Sequence, residues 1–316
     1  MSIAEVSARP EIAVADALER LGREGRPGVC PTRKYLCRYA LWGEGPPIVF
    51  IHGISDVARS FAMMAADLCR NFTCILYELP TGEEDHAGMG GYRHQHFVDD
   101  LIELLNHLNL ERAYLFASSF GATIALRAMA DHPHRFARAV LQGAFARRPV
   151  HPREVILAQF ARYWKGRMRS MPVRTSLKNP KEAMVFDSAP PDRAAFLQDN
   201  CGSAPIGTVA RIGLVIARLD LRPTLRKVQQ PIRLIGGDRD GIVPLPLEQE
   251  VLQGLPNAER IEIPMCGHVP QYTHAALLAE LTRQFFTPDC HDTCDHHSNE
   301  RPAVSGSHQA KINPTK

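Results

Sequence analysis

The stretch "LFASSFGATIAL" (residues 115–126) runs a strand-like apolar segment into a helix-like one through two adjacent serines, Ser118 and Ser119. Serine and glycine make turns, and a turn is all that a strand-to-helix junction requires. Side-chain size permits a sharper reading. A serine at the apex of a very tight strand–helix corner needs small residues two before and two after it, because larger ones collide with the corner itself. Around Ser119 those positions hold Ala117 and Gly121; around Ser118 they hold Phe116 and Phe120. Only Ser119 fits. The spacing predicts a small-x-Ser-x-Gly elbow that presents the Ser119 hydroxyl at the end of a strand.

Outward from the elbow, the chain alternates between two periods. "KYLCRYALWG" (34–43), "PPIVFIHG" (46–53), "FTCILYELP" (72–80), "RAYLFAS" (112–118) and "FARAVLQGAF" (136–145) read as strands, several of them continuous apolar runs suited to burial on both faces. "SFAMMAADLCRN" (60–71), "QHFVDDLIELLNHLNL" (95–110) and "GATIALRAMADHP" (121–133) carry apolar residues at helical spacing. Such alternation implies right-handed crossovers and an α/β fold, a mostly parallel central sheet flanked by helices.

The rhythm breaks from about residue 147 to 222, where the chain is basic, proline-punctuated and helix-like, with Phe160, Tyr163 and Trp164 close together. It resumes with "PIRLIGGDRDG" (231–241), "PLEQEVLQGL" (246–255), "ERIEIP" (259–264) and "HAALLAELTRQFF" (274–286). The expected organisation is an N-terminal helical extension (1–32), a first core part (33–146), a helical insertion (147–222), a second core part (223–287) and a hydrophilic, disordered tail (288–316).

Composition narrows the function classes. A content of 45% hydrophobic and 22% charged residues is that of an ordinary globular domain. No apolar run approaches the roughly 20 residues of a membrane-spanning helix. A net charge of +3 is too small to suggest nucleic acid as a partner. The charge is uneven, however: between Ala146 and Lys181 ten Lys/Arg face a single acid, Glu154. That run reads either as a solvated basic face or as an attractor for an anionic substrate. The N-terminus lacks the basic start, apolar middle and cleavage site of an export signal, so the expected location is cytoplasmic, with the eight cysteines as thiols. In "CHDTCDHH" (290–297), Cys290 and Cys294 lie four apart with no second pair nearby, so no metal site is expected there.

Two further segments follow the elbow in a telling order, "IRLIGGDRDGIVP" (232–244) and then "MCGHVPQ" (265–271). With the elbow, they make the chain resemble the α/β-hydrolase family over roughly residues 35–287. The resemblance implies Ser119 as nucleophile, Asp240 as the acid with Asp238 as the alternative, and His268 as the base. It implies an oxyanion hole made by the backbone N–H groups of Ile54, in "FIHGISD" (50–56), and Phe120. Gly53 would let that loop approach closely and His52 would brace it. Two departures stand out. Ala117 replaces the usual first glycine, and Glu78 stands where many members carry an aspartate, followed by Glu83, Glu84 and Asp85 as either a surface loop or a cleft rim.

A serine at 119 argues against the branches that use an aspartate nucleophile for dehalogenation or epoxide opening. The resemblance implies instead a serine hydrolase acting on a small carboxylic ester or related acyl substrate, with no cofactor. Carbon–carbon bond hydrolysis of a diketone-like substrate uses the same three residues, and a catalytically silent binding protein on the same fold is the non-enzymatic alternative. The insertion would cover the site as a lid. Phe160, Tyr163 and Trp164 would pack onto the core or, for Phe160 and Trp164, line an acyl pocket. If the basic run faces the cleft, a carboxylate-bearing or phosphorylated substrate is implied.

Overall fold

A computed structural model describes residues 11–80, 91–170 and 190–287. Among them, eight strands form one sheet: β1 (Arg26–Pro31), β2 (Leu36–Trp42), β3 (Pro47–Ile51), β4 (Thr73–Tyr77), β5 (Ala113–Ser118), β6 (Phe136–Gln142), β7 (Ile232–Gly237) and β8 (Ala258–Ile263). Their spatial order is β1-β2-β4-β3-β5-β6-β7-β8. The β1–β2 and β2–β4 pairs are antiparallel and every pair from β4 to β8 is parallel.

Parallel strands need crossovers, and here helices supply them on both faces. The helices are α1 (Val14–Glu24), α2 (Ala62–Leu68), α3 (His94–His107), α4 (Phe120–Asp131), α5 (Pro152–Ala161), α6 (Pro191–Ser203), α7 (Ile206–Ile216), α8 (Arg222–Leu225), α9 (Leu245–Gly254), α10 (Pro270–Thr273) and α11 (Ala275–Phe286). Val49, Ile51, Leu115 and Ala117 point into a core shared with α3 and α4. Ile48, Phe50 and Phe116 point the other way, into a core shared with α1, α2 and α11. This two-sided burial is why β3 and β5 read as unbroken apolar runs rather than alternating ones. On the second face Phe50, Phe61 and Phe116 form a ring cluster with centroids 5.4–5.6 Å apart.

Two elements differ from the sequence expectation. The stretch 1–32 was expected to be a helical extension, yet Arg26–Pro31 is an edge strand, registered Arg26↔Leu41 to Pro31↔Leu36. Its sequence "RPGVCP" has no apolar alternation to read; proline is tolerated because the strand is at an edge. Gly28 lets the Tyr39 ring lie flat on the strand, since a methyl group in its place would sit 2.3 Å from that ring and displace it.

The second difference concerns the aromatic cluster. Phe160, Tyr163 and Trp164 do not pack onto the core: they are 73%, 67% and 66% exposed. The helix α5 packs against α7 with its other side, where Val155, Ala158 and Gln159 are half-buried. Between β6 and β7 the described residues form helices and one isolated bridge, Arg167↔Pro205, with no strand. No described helix is long and apolar enough to cross a membrane.

Candidate active site

The sheet register brings distant segments to one edge. Ile51 lies beside Ala117, and Ser118 beside Gln142, so the carboxyl ends of β3, β5 and β6 finish together. In open α/β sheets that edge is where sites are built. Ser119 follows directly, with φ 54° and ψ −116°, a conformation a non-glycine residue adopts at a cost of order 1–3 kcal/mol. Its N–H donates to the Gln142 carbonyl at 2.8 Å, which helps hold the corner. Gly121 is needed because a methyl group there would lie 2.4 Å from the Ile51 carbonyl oxygen and 2.8 Å from that of His52. The start of α4 is thus pressed onto the end of β3.

Two loops close on the half-buried Ser119 hydroxyl. His268, after β8, sets Nε2 2.9 Å from Ser119 Oγ. Its Nδ1 lies 2.7 Å from Asp240 Oδ2, in the loop after β7. The other Asp240 oxygen accepts the N–H groups of Ile242 and Val243, both at 2.8 Å. One carboxylate oxygen therefore anchors the turn and the other meets the imidazole, so Nδ1 carries the donated hydrogen and Nε2 is free to accept one from Ser119. Both side chains are buried, which strengthens the pair. The alternative acid, Asp238, points elsewhere: its Oδ1 accepts the Cys266 N–H at 3.1 Å and braces the histidine loop.

On the opposite side of Ser119 lies the loop after β3. A methyl group on Gly53 would be 3.5 Å from Ser119 Cβ and 4.0 Å from Oγ, so this backbone runs alongside the hydroxyl. Ile54 follows, half-buried, and Phe120 opens α4 on the other flank, its ring edge-on to Phe97 at 5.1 Å. His52 is fully buried; Nδ1 donates to the Gly53 carbonyl at 2.8 Å while Nε2 accepts the Leu79 N–H at 3.1 Å. It braces the loop between β3 and the end of β4. Glu78 joins this bracing, accepting the Ala58 N–H at 3.0 Å.

Other residues complete the site that the sequence reading did not single out. Gln142 Nε2 donates to the His268 carbonyl at 2.7 Å, and its Oε1 accepts the Ser118 hydroxyl. Gly143, at φ 56°, backs onto the imidazole: a methyl group there would be 2.9 Å from His268 Cε1 and 3.6 Å from Asp240 Oδ2. Its one signal in the sequence is a glycine at the end of the strand "FARAVLQGAF". Asp56 is buried and accepts the Tyr272 hydroxyl at 2.6 Å and Gln271 Nε2 at 3.1 Å. Burial pushes its carboxyl above the usual range. Tyr272 in turn accepts from Asn200 Nδ2 at 3.0 Å, and Asn200 accepts Arg59 Nε at 2.8 Å. These bonds stitch the loop after β3 to the histidine loop and to α6.

A cleft beside this network is lined by Arg38, Asp56, Val57, Glu78, Arg167 and Ser203, among others. Arg167 is thus a member of the basic run that lines this cleft. Phe160 and Trp164 stand exposed on α5 and the turn after it. Glu83, Glu84, Asp85, Arg174, Lys178, Lys181, Cys290 and Cys294 lie outside the described residues.

A polarised hydroxyl, an imidazole oriented by a carboxylate, and a backbone loop packed beside the hydroxyl together suit attack on a carbonyl carbon. Comparison with known proteins identifies the family of the fold. A family model described as the alpha/beta hydrolase fold matches residues 46–275. The chain is 26% identical over 252 residues to AB hydrolase superfamily protein YisY of Bacillus subtilis, covering 77% of this chain and 92% of that one. It is also 26% identical over 261 residues to pimeloyl-[acyl-carrier protein] methyl ester esterase of Xanthomonas campestris, covering 77% and 96%. Among solved structures, a thermophilic esterase from Thermogutta terrifontis superposes with a TM-score of 0.66 at 22% identity, over 83% of this chain and 97% of that one. The chain belongs to the α/β hydrolase fold family.

Proposed function

We propose that this protein is a serine hydrolase that cleaves a small carboxylic ester through an acyl-enzyme. The observation that carries the reading is the unbroken hydrogen-bond chain from Ser119 Oγ through His268 to Asp240, at 2.9 and 2.7 Å. His268 Nε2 takes the hydroxyl proton as Oγ attacks the ester carbonyl, and the Asp240 carboxylate stabilises the imidazolium that forms. The proton then passes to the departing alcohol, leaving the acyl group on Ser119. Water, activated by the same imidazole, releases the acid and restores the hydroxyl.

The tetrahedral intermediate carries a negative oxygen, for which the N–H groups of Ile54 and Phe120 are the proposed donors. Gly53 alongside Ser119 supports this assignment, and the opening of α4 adds the positive end of its dipole. Loss of one such donor costs about 3–4 kcal/mol in a serine protease. We assign the segment 147–222 the role of a lid; in support, its Arg167 and Ser203 line one cleft with Asp56 and Val57 of the loop after β3. The reading requires no cofactor and places the enzyme in the cytoplasm. The Xanthomonas relative, named as a methyl ester esterase, supports the ester class.

The test is turnover of p-nitrophenyl esters of rising acyl length by the full chain and its Ser119→Ala variant. The reading expects hydrolysis that falls about 1,000-fold or more in the variant. Equal rates in both proteins would refute it, and turnover confined to a diketone would move the substrate to the carbon–carbon class.

A further inference from the structure

Among the described residues, nine large apolar side chains are exposed, and five of them are Ile156, Leu157, Phe160, Tyr163 and Trp164. Scattered exposed hydrophobes are ordinary, but five gathered on one element are not. Their spacing of three to four residues sets them on one side of α5 and the turn behind it, opposite the side that packs on α7. Basic residues flank the stripe at both ends. Arg153 stands one turn before Ile156, Lys165 and Arg169 follow Trp164, and the Arg162 guanidinium lies 4.6 Å over the Tyr163 ring. From 147 to 170 the only acid is Glu154, against seven Lys/Arg.

We propose that this face of α5 docks on an anionic lipid surface. Tyr163 and Trp164 would sit at the headgroup level, where an apolar ring body and a polar edge are both accommodated, with Phe160 among the apolar side chains facing the acyl boundary. Arg153, Lys165 and Arg169 would meet the phosphates, each basic residue adding roughly fivefold to the partition at low salt. The charge decides between occupants. A second copy meeting this face through a two-fold axis would set positive against positive, whereas an anionic surface complements all of it. Resting on the hydrolase reading, docking here would bring lipid-borne acyl substrates to the segment whose Arg167, three residues after Trp164, lines the cleft beside Asp56.

The experiment uses the full chain carrying Ser119→Ala, so that binding is read without hydrolysis and independently of the proposed reaction. Vesicles of phosphatidylcholine alone, and of phosphatidylcholine with phosphatidylglycerol, are compared by flotation and tryptophan emission. The chain has two tryptophans; Trp42 is 2% exposed and donates to Glu24, so a shift on binding reports Trp164. The expected result is flotation with a blue shift on the anionic vesicles, about 100-fold weaker on neutral ones and reversed by salt. Ile156→Ser with Phe160→Ser should weaken it about tenfold, and separately Arg153→Glu with Lys165→Glu about 25-fold or more, each with an unchanged thermal midpoint. Absence of flotation, equal binding to neutral vesicles, or retention in both variants overturns the proposal. So does self-association abolished by the apolar variant, which would identify a second copy, or an equal emission shift with soluble polyglutamate, which would identify an acidic protein.

Discussion

The Gln142 side-chain amide donates to the main-chain carbonyl of His268 at 2.7 Å, while the Gln142 main-chain carbonyl accepts the Ser119 N–H at 2.8 Å. A single residue at the end of β6 thereby holds both the nucleophile's backbone and the base's backbone. Replacing it with leucine leaves a buried carbonyl and the Ser118 hydroxyl without this partner, at a cost of about 1–3 kcal/mol in unfolding free energy. Because the bonds set geometry rather than contact substrate, kcat of Gln142→Leu should fall about tenfold or more with KM little changed. Denaturant unfolding and steady-state kinetics on one preparation would check both parts.

Gly143→Ala tests the other support of the base. Its positive φ disfavours a side chain, and the added methyl meets His268 Cε1 at 2.9 Å. The imidazole must shift, and a displacement approaching 1 Å costs about 100-fold in rate. The expected outcome is a large loss of ester turnover in a protein that still unfolds cooperatively. Activity within about twofold of wild type would show that His268 has more freedom than this packing implies.

The two aspartates of "GGDRDG" (236–241) should separate sharply. Asp240→Asn removes the acceptor that fixes the imidazole tautomer and should lower kcat about 10,000-fold. Asp238→Asn keeps an oxygen able to accept the Cys266 N–H, so its loss should stay within about tenfold. Parallel kinetics on the two variants decide the assignment, and the reverse ranking would transfer the acid role to Asp238.

His94, buried beneath α4, predicts a pH effect on stability. Its Nε2 lies 2.9 Å from Thr123 Oγ1, and that hydroxyl itself donates to the Phe120 carbonyl at 2.6 Å, so Nε2 carries the hydrogen. Among the described residues Nδ1 meets no partner. Burial, with the Arg127 charge adding and Asp131 opposing, lowers its pKa from 6.5 to about 4. Between those values the unfolded chain binds the extra proton, so this group makes stability fall as pH drops from 6.5 to 4. Asp100, raised to about 7 by burial, works in the opposite direction between 3.8 and 7. The informative quantity is therefore the difference between wild type and His94→Leu. That difference should move against wild type by up to about 1.4 kcal/mol per pH unit as pH falls through the window. Urea unfolding at half-unit pH steps measures it.

Much of this architecture could be read from residue patterns because those patterns have direct steric or solvation causes. Buried parallel strands must be apolar on both faces, and the corner at Ser119 must have small neighbours at Ala117 and Gly121, so both leave marks in the chain. The edge strand Arg26–Pro31 leaves none, since its existence depends on a partner strand rather than on its own alternation. Gln142 and Gly143 act through the backbone and ring of His268, more than 120 residues away in the chain, and nothing local to β6 announces that contact. The aromatic residues of α5 were expected against the core because size and apolarity usually lead there. Which side of a helix faces inward is decided by its neighbour, here α7, and the aromatic side lost.

Reaction with a fluorophosphonate, followed by intact mass and peptide mapping, tests most directly the claim that Ser119 is an activated hydroxyl. The account predicts one adduct, on Ser119, absent in Ser119→Ala and formed at least about 1,000-fold more slowly in His268→Ala. A folded protein that takes up no probe, or one labelled equally after Ser119 is removed, would contradict it.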